Sequence, residues 1–167
     1  NPGRAGSESE VRDSLLRIME NKTQRILVTS FASNVARMES IFYCAKKTGR
    51  SICLVGRSMH RIYKAARSCG YLKGLIEALE PRDAKKVPKN KILYLATGSQ
   101  GEPMGAMNRI INGTHPEIFL ESGDCVIFSS KIIPGNEKKL YKLQNIIVRN
   151  NIEIISEENA FVHVSGH

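Results

Sequence analysis

The residues best equipped for chemistry stand together in "FVHVSGH", residues 161–167. In an extended stretch side chains alternate between faces, so His163, Ser165 and His167 would share one edge while Val162 and Val164 face the other way. Two imidazoles and a hydroxyl, with Gly166 leaving room beside them, suit a phosphate or a metal. An imidazole can also give a proton to a leaving oxygen near neutral pH. Two histidines do not complete a zinc site, and His60 and His115 stand at no ligand spacing to the pair. A metal here would take most of its ligands from elsewhere.

Three other stretches have the small, polar character of ligand loops. In "TSFASNVAR", Ser33 or Asn34 falls at the start of a helical pattern, where free amides and the helix dipole favour a phosphate. The plainer reading is that Ser33 only caps its own helix. In "ATGSQGEPMGAM", Gly98 and Gly101 allow close backbone approach or positive φ, and Pro103 suits a first helical turn. The plainer reading is a tight turn without a ligand. In "SSKIIPGNEKK", Ser129 and Ser130 end a strand, Pro134 and Gly135 turn the chain and Asn136 can cap the next helix, which favours a structural role.

The elements that must position these loops alternate strand and helix. Strands are expected at 25–31, 51–56, 91–98, 124–130 and 152–156, with a last short one at 160–166. Helices are expected at 7–21, 34–48, 58–69, 103–112 and 136–150, starting from Ser7 or Ser9 in the first and Ser58 in the third. Their inner stripes are Val11, Leu15, Ile18 and Met19; Val35, Met38, Ile41, Phe42 and Ala45; and Met59, Ile62, Ala66 and Cys69. Residues 71–90 break the pattern with two prolines and a lysine run, and read as a partly helical excursion. This order predicts an α/β fold, a Rossmann-like three-layer α/β/α with a mainly parallel sheet. In such sheets ligands bind outside the carboxyl ends of the strands.

With 167 residues the chain is the size of one domain, residues 1–167. No apolar run reaches the roughly 20 residues that span a bilayer. The opening "NPGRAGSESEVRDS" is polar, without Met or an apolar signal core, so a segment of a longer protein is expected. Cys44, Cys53, Cys69 and Cys125 form no CxxC pair and are expected as buried free thiols in a cytoplasmic protein. Twenty-five Lys and Arg against 16 Asp and Glu give a net charge of +9. The excess clusters, as in Lys46, Lys47 and Arg50 or in Lys138, Lys139 and Lys142. It is either a solvated basic surface or an attraction to phosphate polymers.

Taken in order, "TSFASNVARM", "GRSM", "GYL", "LATGSQGEPM", "GDCVIFSSKIIPGNE" and "HVSGH" resemble the β-CASP domain of ribonuclease J over nearly the whole chain. The resemblance implies a domain inserted into a metallo-β-lactamase domain that carries two metal ions, usually zinc. The parent enzyme would cleave RNA as a 5′→3′ exonuclease favouring a 5′-monophosphate, and as an endonuclease, with RNA in the cleft between the domains. By the resemblance His167 is the catalytic-site residue beside the scissile phosphate. Ser33, His163 and Ser165 hold the RNA 5′-phosphate, and Asn34, Gly98, Ser99, Gln100, Gly101 and Glu102 line the cleft. No metal ligand is expected within this segment, and a homo-oligomer is expected of the full-length protein. The alternatives are a stand-alone RNA-binding module, a β-CASP nuclease acting on another nucleic acid, and a Rossmann-type nucleotide enzyme. The last lacks the GxGxxG fingerprint after its first strand.

Overall fold

The first four strands are short, mostly apolar runs buried on both faces, as a sheet sandwiched between helices demands. The computed structural model describes residues 6–163. The chain runs α1 (Glu8–Glu20), β1 (Ile26–Thr29), α2 (Val35–Lys47), β2 (Ser51–Val55), α3 (Arg57–Ser68), α4 (Pro81–Ala84), β3 (Ile92–Ala96), α5 (Ala106–Ile111), β4 (Cys125–Phe128), α6 (Glu137–Arg149) and β5 (Glu153–Ile155). The five strands form one sheet in the order β2-β3-β1-β4-β5, every pairing parallel.

The period of two divides the core cleanly. Ile26, Val28, Ile52, Leu54, Leu93, Leu95 and Ile127 meet α1, α2 and α3 on one face. Leu27, Cys53, Tyr94, Val126 and Phe128 meet α5, α6 and Ala84 of α4 on the other. The expected three-layer α/β fold is therefore present. Residues 71–91 carry the chain from one face to the other around β2, the edge strand. Leu72 belongs to the first core and Ala84 to the second. Between them the Leu79 amide donates to the Ile52 carbonyl at 2.8 Å, which covers that open edge.

Several local expectations are corrected. Ser7 starts α1 with a reciprocal capping box to Glu10, but α3 starts from Gly56, with Ser58 inside the helix. Helix 103–112 shortens to Ala106–Ile111, because Gly105 is still extended and Pro103 lies in the preceding turn. Cys44, Cys53 and Cys125 are buried thiols, whose pKa burial pushes up to about 12. Cys69 is exposed, because it falls on the C-cap of α3, beyond the stripe that faces the sheet.

Charged side chains leave the surface too, Arg50 and Asp124 among them. Arg50 was grouped with the surface lysines by sequence, yet it is 3% exposed. Its guanidinium donates to the Ile92 and Lys22 carbonyls at 2.7 and 3.0 Å. Asp124, fully buried, accepts from the Arg25 and Glu121 amides at 3.0 and 2.8 Å and ties off the amino end of β4. Among the described residues, no helix is long and apolar enough to cross a membrane.

Candidate nucleic-acid site

The strand order places a topological switch point at the carboxyl end of β1. The helix after β1 packs on one face of the sheet, while those after its neighbours β3 and β4 pack on the other. The loops therefore splay apart there, and such switch points are where open α/β sheets bind ligands.

The loop after β1 delivers Ser33 and Asn34. Asn34 is the N-cap of α2, its Oδ1 accepting from the Arg37 amide at 3.0 Å, so Ser33 is freed from capping and stands exposed. The Val35 amide donates to the Ser33 carbonyl at 3.1 Å. Among the described residues, Ala36 has the one amide of the first three in the helix that meets no acceptor, open to a ligand. No acidic residue stands in this first turn to offset an incoming anion.

The loop after β3 holds Gly98, Ser99, Gln100 and Gly101, all buried, and Glu102, which is exposed. Its glycines answer to packing as well as to any ligand. Gly98 has φ +101° and a Cβ there would stand 2.9 Å from the Met107 side chain. Gly101 has φ +77° and a Cβ would meet the Leu140 amide nitrogen at 2.8 Å. Gln100 spends both ends of its amide on the loop after β4. Its Nε2 donates to the Lys131 carbonyl at 2.9 Å and its Oε1 accepts from the Ile133 amide at 2.7 Å. This staple joins the loops on either side of β1. Gly101→Ala, which combines a rare backbone conformation with a clash against backbone, is expected to cost about 2–3 kcal/mol, from overpacking plus strain. A denaturant midpoint unchanged from the parent chain would refute it.

The centre of the site is a residue that sequence reading passed over. Arg37, on the first turn of α2, is fully buried. Its Nε and Nη2 grip the Glu8 carboxylate at 3.0 and 3.2 Å. Its Nη1 donates to the Ser129 carbonyl and Oγ, each at 2.7 Å, and to the Val162 carbonyl at 3.1 Å. Ser129 Oγ donates in turn to the Val162 carbonyl. A signal for this was present: Arg37 lies one turn before Ile41, on the stripe that the apolar pattern turns inward.

The expected strand 160–166 is not formed over its described part. Residues 160–163 make no ladder, because the Val162 carbonyl is taken by Arg37 and Ser129 side chains instead of a neighbouring strand. Val162 is fully buried and the half-buried His163 ring sits with Nδ1 3.4 Å from Arg37 Nη1. Burial, and then the Arg37 charge, hold the His163 pKa below its ordinary value, which favours the neutral ring. Ser165 and His167 lie outside the described residues. His115, by contrast, is structural: its Nδ1 accepts from the Glu117 and Ile118 amides at 3.1 Å each.

The structure thus brings His163 to the helix that follows Ser33 and Asn34, and joins Gly98–Glu102 to the loop after β4. Among the described residues, no group of three or more His, Cys, Asp or Glu could hold a metal ion. The family model described as "Ribonuclease J, beta-CASP domain" matches residues 23–147. The chain belongs to this family. "Ribonuclease J" of Mycolicibacterium smegmatis is 41% identical over 167 residues, which is 99% of this chain and 30% of the relative. "Ribonuclease J 1" of Streptococcus pyogenes is 41% identical over 169 residues, 99% of this chain and 30% of the relative. "Ribonuclease J" of Thermus thermophilus is 36% identical over 166 residues, 99% of this chain and 29% of the relative. The β-CASP chain accordingly spans less than a third of the length of these ribonuclease J relatives.

Proposed function

We propose that the chain is the β-CASP part of a longer, metal-dependent ribonuclease of the ribonuclease J kind, acting 5′→3′ as an exonuclease and also as an endonuclease. What supports this reading is the switch point at the carboxyl end of β1, where hydrogen bonds tie together the motif-bearing segments that follow β1, β3 and β4 and the His163 segment. In this reading a metallo-β-lactamase domain of the same protein forms the other wall of the cleft, and the segment before β1 packs against the His163 segment. Gly6 stands against the Phe161 ring, and Glu8 and Val162 share Arg37.

In this reading the RNA 5′-monophosphate takes the exposed Ser33 hydroxyl, the Ala36 amide, Ser165, and an N–H of the neutral His163. His167 faces the scissile phosphate and donates to its developing charge or its leaving oxygen. Asn34 and the Gly98–Glu102 loop border the cleft. Two zinc ions, held by ligands outside this chain, supply the activated hydroxide when bound. A phosphate pocket next to the cut would make each new 5′ end the next ligand, so the enzyme would advance along the strand.

The test is the rate ratio between 5′-monophosphate and 5′-hydroxyl RNA in the full-length protein. Ser33→Ala with Ser165→Ala should lower the ratio about tenfold or more, because hydrogen bonds to a charged group contribute about 1.5–3 kcal/mol each. An unaltered ratio would count against the pocket. A full-length protein that binds RNA but cuts neither substrate would favour a binding module without chemistry.

A further inference from the structure

We propose that α6 carries a second, outlying track for single-stranded RNA, which holds the part of the substrate that has left the cleft. The proposal rests on the ribonuclease reading above. It starts from the two faces of the helix. Leu140, Leu143 and Ile147 are buried against the sheet. The opposite stripe, Lys138, Tyr141, Lys142, Asn145, Val148 and Arg149, lines a shallow trough of about 710 Å³.

Three features of the trough point to its occupant. First, its cations are uncommitted. Among the described residues, Lys138, Lys142 and Arg149 make no ion pair. The one nearby helix carboxylate, Glu137, already accepts from the Gly135 amide at 2.7 Å. Second, an aromatic ring stands among the cations, Tyr141 being 46% exposed. A ring interleaved with charges is the arrangement that stacks bases while neutralising phosphates without reading sequence. Third, the trough leads from the candidate site. Lys142 also lines an adjoining cleft of about 260 Å³ between α5 and α6, together with Gly101, Pro103, Asn108 and Asn112. Gly101 belongs to the loop beside the switch point, and the asparagine amides can pair with the edge of any base.

The spacing fits a polymer better than a protein partner. From Lys138 to Arg149 the charges run about 16 Å along the helix at 1.5 Å per residue. The large apolar side chains exposed between them are two, Val148 and the ring of Tyr141, fewer than the cluster of buried anchors that protein interfaces use.

The experiment compares two 5′-monophosphorylated RNAs in the full-length enzyme, a short one ending inside the cleft and a long one. With Lys138, Lys142 and Arg149 all changed to Ala, KM for the long RNA should rise about tenfold while the short RNA is unaffected. The salt dependence of the long RNA should weaken by about 2 in log–log slope, near 0.7 per lost phosphate contact. Tyr141→Ala should raise KM for the long RNA with the salt slope preserved. Equal changes for both RNAs, or none, would overturn the track while leaving the ribonuclease reading standing. So would a shift in oligomeric state without a length-dependent KM, which would assign the face to a protein contact. Failure of the unmutated enzyme to cut either RNA would instead strike the reading beneath it.

Discussion

Replacing Arg37 with methionine should destabilise the fold by about 3–5 kcal/mol, the loss seen when one partner of a buried ion pair is removed. Methionine refills most of the stem volume, so the loss isolates the guanidinium. Its removal takes a donor from several acceptors at once: the Glu8 carboxylate, 28% exposed, which keeps the Ser40 hydroxyl, the Val162 carbonyl, which keeps Ser129 Oγ, and the Ser129 carbonyl. These lie 29, 92 and 125 positions away in sequence, so the single fork joins α1, the loop after β4 and the His163 segment to α2. Arg37→Lys should recover only part of the loss, because an ammonium cannot match the two-pronged carboxylate contact and the carbonyls together. Denaturant midpoints of the chain check this, and a loss below about 1 kcal/mol, the range of an exposed pair, would contradict it. In the full-length protein the lysine variant should also discriminate less between 5′-monophosphate and 5′-hydroxyl RNA, since the His163 ring loses its anchor.

His167→Ala is expected to have the largest effect on turnover. A positioned imidazole that moves a proton contributes about 10²–10⁴-fold, so cleavage by the full-length enzyme should slow by that factor. Thermal stability and metal content should persist, which separates a role in the reaction from one in folding. If the imidazole donates the proton, the limb of the pH–rate profile that it governs should vanish with it. Unchanged turnover with metal intact would remove His167 from the reaction.

The sequence by itself determined the layers. Burial on both faces forces continuous apolar strands, and helices on a sheet force a 3.6-residue stripe, so both patterns are written locally. Nearly every core position expected on α1 and α2 is where its period put it, and all five main strands form. The candidate loops were legible for the same reason, since carboxyl ends follow once strands and helices alternate. The family motifs suggest roles for Ser33, His163 and His167 that no periodicity carries.

Only the tertiary structure decided what the long polar side chains do. Arg50 read as surface charge and Arg37 was passed over, because a guanidinium is buried only when acceptors arrive from elsewhere, here from the loop after β4, the His163 segment, β3 and the turn after α1. Gln100 read as a cleft residue, and its amide also spans to the loop across β1, a bond that no local pattern announces. Residues 160–163 read as a strand, but their carbonyl found side chains instead of a ladder. Local pattern specifies which face a residue takes. It does not specify which partner, a hundred positions away, will be waiting there.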